Sequence, residues 1–81
     1  MSLGDCPTGY YLGKGDIPGW GQIRGEIETT MAGCGEECNN TTECCSFEFS
    51  RSVSLCNLNR DCQPTVQPYK DFYFCIKDRE G

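Results

Sequence analysis

A chain of 81 residues forms one domain, and a domain of this size hides only about 60% of its unfolded surface, so its core alone would be marginal. Twelve acidic residues against seven basic ones give a net charge of −5, which disfavours nucleic acid and heparin as partners because both are polyanions. No stretch is long and apolar enough to cross a bilayer, so membrane insertion is not expected.

Eight cysteines are the most distinctive feature of the composition, and such a density is typical of small domains that fold in an oxidising compartment. Because the count is even, four disulfides can use every cysteine, although counting leaves their pairing open. A zinc site is the alternative, but the chain has no histidine and its cysteine spacing is irregular. We therefore expect a secreted or extracellular protein with four disulfides, no metal and no cofactor.

Residues 1–3 have neither the basic region nor the apolar run of a signal sequence, and we interpret them as a cloning remnant. Residues 4–81 are then a single domain. We expect this domain to be an excised module of a larger multidomain extracellular protein.

The first third of the domain is rich in turn-forming residues. Residues 4–25 hold seven glycines and two prolines, which favours loops. Within this part, residues 8–12 and 22–27 are each suited to a short strand.

An amphipathic helix is predicted from Glu26 onward, because a stripe of apolar residues follows the 3.6-residue period. The stripe consists of Ile27, Met31, Cys34 and Cys38, and the opposite side carries Glu28, Glu36 and Glu37. Gly33 and Gly35 each weaken a helix by about 0.5–1 kcal/mol relative to alanine. Cysteines on the buried side are expected to anchor it.

Three strands are predicted after the helix. Residues 45–49 alternate in polarity, residues 51–52 form a tight turn, and residues 53–58 resume as a second strand. Residues 59–70 contain two prolines and form a connection, and residues 71–77 form the last strand. The predicted fold class is α+β, a small disulfide-rich domain with one helix packed on a short antiparallel sheet.

The cysteines and aromatic residues of the central part resemble the PAN/apple family, which includes the related amino-terminal domain of hepatocyte growth factor. In that family a helix with two cysteines four apart precedes a Cys-x-x-Phe-x-aromatic strand and a second strand ending in Cys-x-Leu. The matching stretches lie within about residues 27–58 and are Cys-Gly-Glu-Glu-Cys at 34–38, Cys-Cys-Ser-Phe-Glu-Phe at 44–49 and Ser-Leu-Cys-Asn-Leu at 54–58. Residues 72–75 are similar to the closing strand of apple domains.

The resemblance implies a β-hairpin cross-linked to one helix by the disulfides Cys34–Cys56 and Cys38–Cys44. It also implies a third disulfide, Cys6–Cys75, between a cysteine near the start of the domain and one near its end. The remaining link, Cys45–Cys62, departs from the family pattern. Strand alternation instead places Cys45 on the face of Phe47 and Phe49, which favours Cys38–Cys45. The partner of Cys38 therefore stays open between Cys44 and Cys45, with Cys44 preferred.

Catalysis has little support, because no histidine is present to activate a serine or cysteine nucleophile, and the adjacent Glu36 and Glu37 do not face one another on a helix. The resemblance implies a noncatalytic recognition or adhesion module that binds an extracellular protein or glycan. The alternative is a secreted effector such as a toxin or inhibitor. Flanking extracellular domains in the full gene product would favour the module.

Candidate binding residues are exposed aromatics, since loops and aromatic side chains on a rigid scaffold often form interfaces. Trp20, between two glycines, is the first candidate, followed by Tyr10, Tyr11, Tyr69 and Tyr73. A core role is the competing interpretation for each of them. Asn39 and Asn40 begin overlapping sequons, which predict N-glycosylation at one of the two if the source is eukaryotic; chance occurrence of a short sequon and helix capping by asparagine are the alternative explanations.

Overall fold

The computed structural model describes residues 6–13, 15, 22–63 and 72–78. One helix packs on a five-stranded antiparallel sheet with the strand order β1-β5-β3-β4-β2, so the predicted α+β class is confirmed. The elements are β1 (Tyr10–Leu12), β2 (Arg24–Glu28), α1 (Met31–Asn39), β3 (Ser46–Ser50), β4 (Leu55–Asn59) and β5 (Phe72–Lys77).

The main core lies between α1 and the central strands. Phe47 and Phe49 of β3 stand opposite Leu58 and Cys56 of β4, and β5 adds Cys75. These side chains share one face of the sheet because alternate residues of a strand point the same way. The core formed there consists of Cys34, Cys38, Cys44, Phe47, Phe49, Cys56, Leu58 and Cys75.

The start of the helix differs from the prediction, because Ile27 and Glu28 belong to β2. Ile27 pairs with Cys56 and packs against the core from a strand, as the strand predicted over residues 22–27 implies and the helical stripe does not. α1 begins at Met31 after Thr30, whose hydroxyl accepts a hydrogen bond from the Gly33 amide at 3.0 Å. Within the described ranges no helix is long and apolar enough to span a membrane.

The hairpin between β3 and β4 also differs. Residues 51–54 form the turn, and β4 starts at Leu55 and not at Val53. Val53 is 58% exposed, and Ser54 has a φ of 56°, in the left-handed region that ends regular pairing. The predicted strand over residues 53–58 was therefore placed two residues early at its start and one residue short at its end.

Four disulfides use all eight cysteines. They are Cys6–Cys75, Cys34–Cys56, Cys38–Cys44 and Cys45–Cys62. The first three are the pairs that the resemblance implies, the fourth departs from the family pattern, and the alternative Cys38–Cys45 is not formed. Cys44 and Cys45 both precede β3, so strand alternation does not govern them. Cys44 joins the core under α1, whereas Cys62 packs against Phe74 and Ile76, which form a second cluster.

The sheet face opposite the helix buries polar side chains. They are Ser46, Glu48, Ser50, Asn57 and Asn59, and Glu48 at the centre of β3 is only 2% exposed. Asn57 uses its side-chain oxygen to accept a hydrogen bond from the Glu26 amide at 2.7 Å, where the register between β2 and β4 shifts. Glu26 itself has a φ of 57°, so Asn57 holds a strained bulge in place.

Candidate functional site

Three of the five candidate binding aromatics can be placed. Tyr10 and Tyr11 lie on β1 and Tyr73 lies on β5. Trp20 and Tyr69 lie outside the described residues. The placed tyrosines have three different environments, and only one of them leaves its ring available to a partner.

Tyr10 is a structural residue. Its ring meets the ring of Phe47 edge-on, with centroids 5.0 Å apart. Its hydroxyl lies within donating distance of two acceptors, the Gly35 carbonyl oxygen at 3.0 Å and Oδ1 of Asn39 at 2.9 Å. Burial raises the pKa of Tyr10 from 10.0 to about 12, because the charged phenolate would lose water. The side chain thus ties β1 to the outer side of α1.

Tyr73 is engaged with a cation. The guanidinium of Arg51 lies 5.3 Å from the ring centroid and donates a hydrogen bond to the Tyr73 hydroxyl at 2.9 Å. The ring is half-buried and also packs against the main core. Arg51 in the hairpin turn is therefore stacked on β5, which favours a structural role for this pair.

Tyr11 and the neighbouring Leu12 are exposed apolar residues of the edge strand β1, and as successive strand residues they point to opposite faces of the sheet. Tyr11 is 52% exposed and Leu12 is 50% exposed, although both lie in a strand. Their backbones pair with Ile76 and Cys75 of β5, so the strand is fixed while the side chains stay accessible. We call Tyr11 and Leu12 the edge pair; Leu12 was not a candidate in the sequence, where nothing distinguishes it from a core leucine.

A shallow groove of about 250 Å³ lies between residues 7–10 and the outer side of α1. At its floor Gly35 allows Pro7 to approach the helix closely, because a Cβ on Gly35 would lie 2.7 Å from Cγ of Pro7. Glu36 and Asn39 line one side of this groove and Tyr10 lines the other. In the sequence, Gly35 is recognisable only as a residue that weakens the helix, although a glycine inside a helix is also a sign of close packing.

The two candidate glycosylation residues have different surroundings. Asn39 is the last residue of α1, lines the groove and accepts the hydrogen bond from Tyr10. Asn40 follows the helix as its C-cap and is exposed. Both are exposed, and from the sequence alone they are equivalent.

The described residues offer no cysteine nucleophile and no paired carboxylates that face one another. All eight cysteines are in disulfides, so none offers a thiolate nucleophile. Glu36 is exposed, and Glu37 pairs with Arg24 at 3.4 Å on the surface, where such an ion pair contributes little.

Comparisons with known proteins give no match: no family model, curated protein or solved structure matches this chain. Its function is therefore argued from its own residues and fold.

Proposed function

We propose that this protein is a noncatalytic extracellular recognition module of the PAN/apple type. It binds a partner protein or glycan and forms part of a larger extracellular protein. The observation that carries the proposal is the edge pair, Tyr11 and Leu12, two large side chains held half exposed on a cross-linked sheet.

The edge pair has the properties of an interface anchor. Tyrosine offers a large apolar face and a hydroxyl while losing little conformational entropy on binding. Its backbone is held by β5 and by the Cys6–Cys75 disulfide, which joins the chain just before β1 to the strand beside it. A preorganised anchor of this kind binds more tightly than a mobile one because less freedom is lost.

The exposed leucine favours a protein partner over a glycan. An aliphatic side chain offers a sugar neither a stacking face nor a polar group, whereas a protein that covers the edge of the sheet can contact both Leu12 and Tyr11 although they lie on opposite faces. The net charge of −5 disfavours polyanions such as heparin. Binding should therefore weaken only mildly with salt, since few ion pairs would be screened.

Several features support the extracellular assignment. Disulfides persist in oxidising compartments, and four of them cross-link the described parts of this chain. The helix–hairpin arrangement with Cys34–Cys56 and Cys38–Cys44 is also what the PAN/apple resemblance implies. A recognition module needs this rigidity more than a reactive group, which agrees with the proposed lack of catalysis.

The test uses the oxidised domain immobilised beside two single variants. Tyr11→Ala removes the proposed anchor, and Val53→Ala is the matched control because Val53 is exposed to a similar degree in the β3–β4 turn. Binding partners are captured from extracellular fluid of the source organism, and a glycan array is probed in parallel.

We expect a captured protein whose affinity falls at least about thirtyfold, or about 2 kcal/mol, with Tyr11→Ala and is unchanged with Val53→Ala. Equal binding by the wild type and Tyr11→Ala would refute the edge pair as the anchor. Binding of the array only, with no protein captured, would reassign the partner to glycans.

A further inference from the structure

The segment that leaves α1 carries two overlapping acceptor sequences for N-glycosylation, Asn39-Asn40-Thr41 and Asn40-Thr41-Thr42. We propose that Asn40, and not Asn39, carries an N-linked glycan. This inference rests on the proposed secretion of the protein, because the sugar donor is met in the secretory pathway.

Asn40 has a side chain that is free to carry a bulky group. It is exposed, and in the part of the chain that the structure describes its side-chain amide has no hydrogen-bond partner. Its backbone amide ends the helix by donating to the Glu36 carbonyl oxygen at 3.0 Å, which requires no side chain. A glycan on Nδ2 of Asn40 would therefore displace no contact.

Helix capping does not explain why residue 40 is an asparagine. Asparagine is favoured at a helix end where the backbone is left-handed, because it tolerates a positive φ. Asn40 has a φ of −83° and a ψ of −3°, which any residue adopts. The competing explanation is thus absent at this position, and the acceptor role remains.

Asn39 is also exposed, but its side chain makes contacts within the fold that Asn40 does not make. Oδ1 of Asn39 accepts the hydrogen bond from Tyr10, and its side chain lines the groove beside Tyr10 and Gly35. A glycan attached to Nδ2 of Asn39 would leave from the same amide and crowd that groove. The folded chain therefore accommodates a glycan at Asn40 with less disturbance than at Asn39.

The two acceptor sequences also differ in their hydroxyl residue. The Asn39 sequence uses Thr41, whose Oγ1 donates to the Glu37 carbonyl oxygen at 2.8 Å and so closes the end of α1. The Asn40 sequence uses Thr42, which is exposed and makes no hydrogen bond through its hydroxyl within the described residues. Both the amide and the hydroxyl of the second sequence are accordingly free.

The modification is a glycosyl transfer from a lipid-linked oligosaccharide. Nδ2 of Asn40 forms a bond to the anomeric carbon of the first sugar, and the bond from that carbon to the lipid diphosphate breaks. The lipid diphosphate leaves with the electron pair, and one amide proton passes to a base of the transferase. The product keeps the side-chain amide and adds a surface carbohydrate.

The experiment expresses the full chain behind a signal sequence in a secreting eukaryotic cell and reads glycan occupancy in the medium and in the cell-retained fraction. Two single substitutions separate the overlapping sites. Thr42→Ala destroys only the Asn40 sequence, and Thr41→Ala destroys only the Asn39 sequence. Deglycosylation by an amidase converts the occupied asparagine to aspartate, which peptide mass spectrometry locates.

We expect most wild-type and Thr41→Ala chains to carry a glycan at Asn40 and most Thr42→Ala chains to carry none. A wild-type chain without a glycan, or a glycan retained by Thr42→Ala at Asn39, would overturn the inference. Failure of the proposed extracellular role gives a different result, namely free thiols in the secreted chain, or unchanged partner binding by Tyr11→Ala, whatever the glycan occupancy.

Discussion

The four disulfides should not contribute equally to stability, and the largest contrast is between the longest and the shortest loop. Cys6 and Cys75 are 69 residues apart, whereas Cys38 and Cys44 are 6 apart. Each disulfide lowers the conformational entropy of the unfolded chain, which stabilises the folded state by about 4 kcal/mol for the first loop and by about 2 kcal/mol for the second. The Cys34–Cys56 link shortens the long loop to about 50 residues, which leaves its value close to 4 kcal/mol.

Burial reduces this contrast. Substitution of Cys38 and Cys44 by alanine removes two buried sulfur atoms from the core. Substitution of Cys6 and Cys75 removes one buried sulfur, that of Cys75, because Cys6 is only half-buried. Each lost buried atom costs about 1 kcal/mol. We therefore expect Cys6→Ala with Cys75→Ala to be less stable than Cys38→Ala with Cys44→Ala by about 1 kcal/mol.

The assay is equilibrium unfolding in urea of the two oxidised double variants, each checked for the absence of free thiols. With a slope of about 1 kcal/mol per M, the midpoints should differ by about 1 M. A Cys38/Cys44 variant that is as unstable as the Cys6/Cys75 variant, or less stable, would refute the argument that loop length controls these contributions.

Three further changes test local contacts. Thr30→Ala should destabilise the protein by about 1 kcal/mol and Thr30→Ser should not, because only alanine loses the acceptor for the Gly33 amide; chemical denaturation measures both. Gly35→Ala should destabilise the protein by about 1–3 kcal/mol in the same assay, because the added Cβ would press on Pro7. Substitution of the neighbouring exposed residue, Glu36→Ala, should be nearly neutral. Equal effects of the two substitutions would contradict the close approach of Pro7 to Gly35. The pKa of Tyr10 is about 12 in the folded protein and about 10 in the unfolded chain, so the stabilisation by Tyr10 is complete below pH 10 and is lost as the pH rises toward 12. The difference in unfolding free energy between wild type and Tyr10→Phe should therefore shrink between pH 10 and pH 12. A difference that stays constant would contradict the raised pKa.

The sequence predicts those parts of the fold that follow a local period. The aromatic alternation of β3 correctly places Phe47 and Phe49 in the core, and Cys34 and Cys38 correctly mark the buried side of α1. Ile27 could not be assigned from the pattern, because an apolar residue four positions before Met31 suits a helix as well as the end of a strand. The backbone pairing of Ile27 with Cys56, which is distant in the chain, places Ile27 in strand β2 and not in the helix.

The candidate surface could be predicted only in part. Alternation in β3 suggests that Ser46 and Glu48 face water, yet both are buried, because long-range packing and not the local pattern sets their environment. Tyr10 and Tyr11 are equivalent neighbours in the sequence, but one faces the helix and the other stays exposed. Their difference follows from the register of β1 on β5, which no local signal encodes.

The cross-links support the extracellular assignment, the fixed edge pair and the secretion on which glycosylation depends. The most direct measurement is a disulfide map of the nonreduced protein from a secreting cell, with fragmentation between Cys44 and Cys45 because both occupy one peptide. We predict an intact mass about 8 Da below that of the reduced chain, with Cys44 linked to Cys38 and Cys45 linked to Cys62. A Cys38–Cys45 link, or free thiols in the secreted protein, would contradict the account.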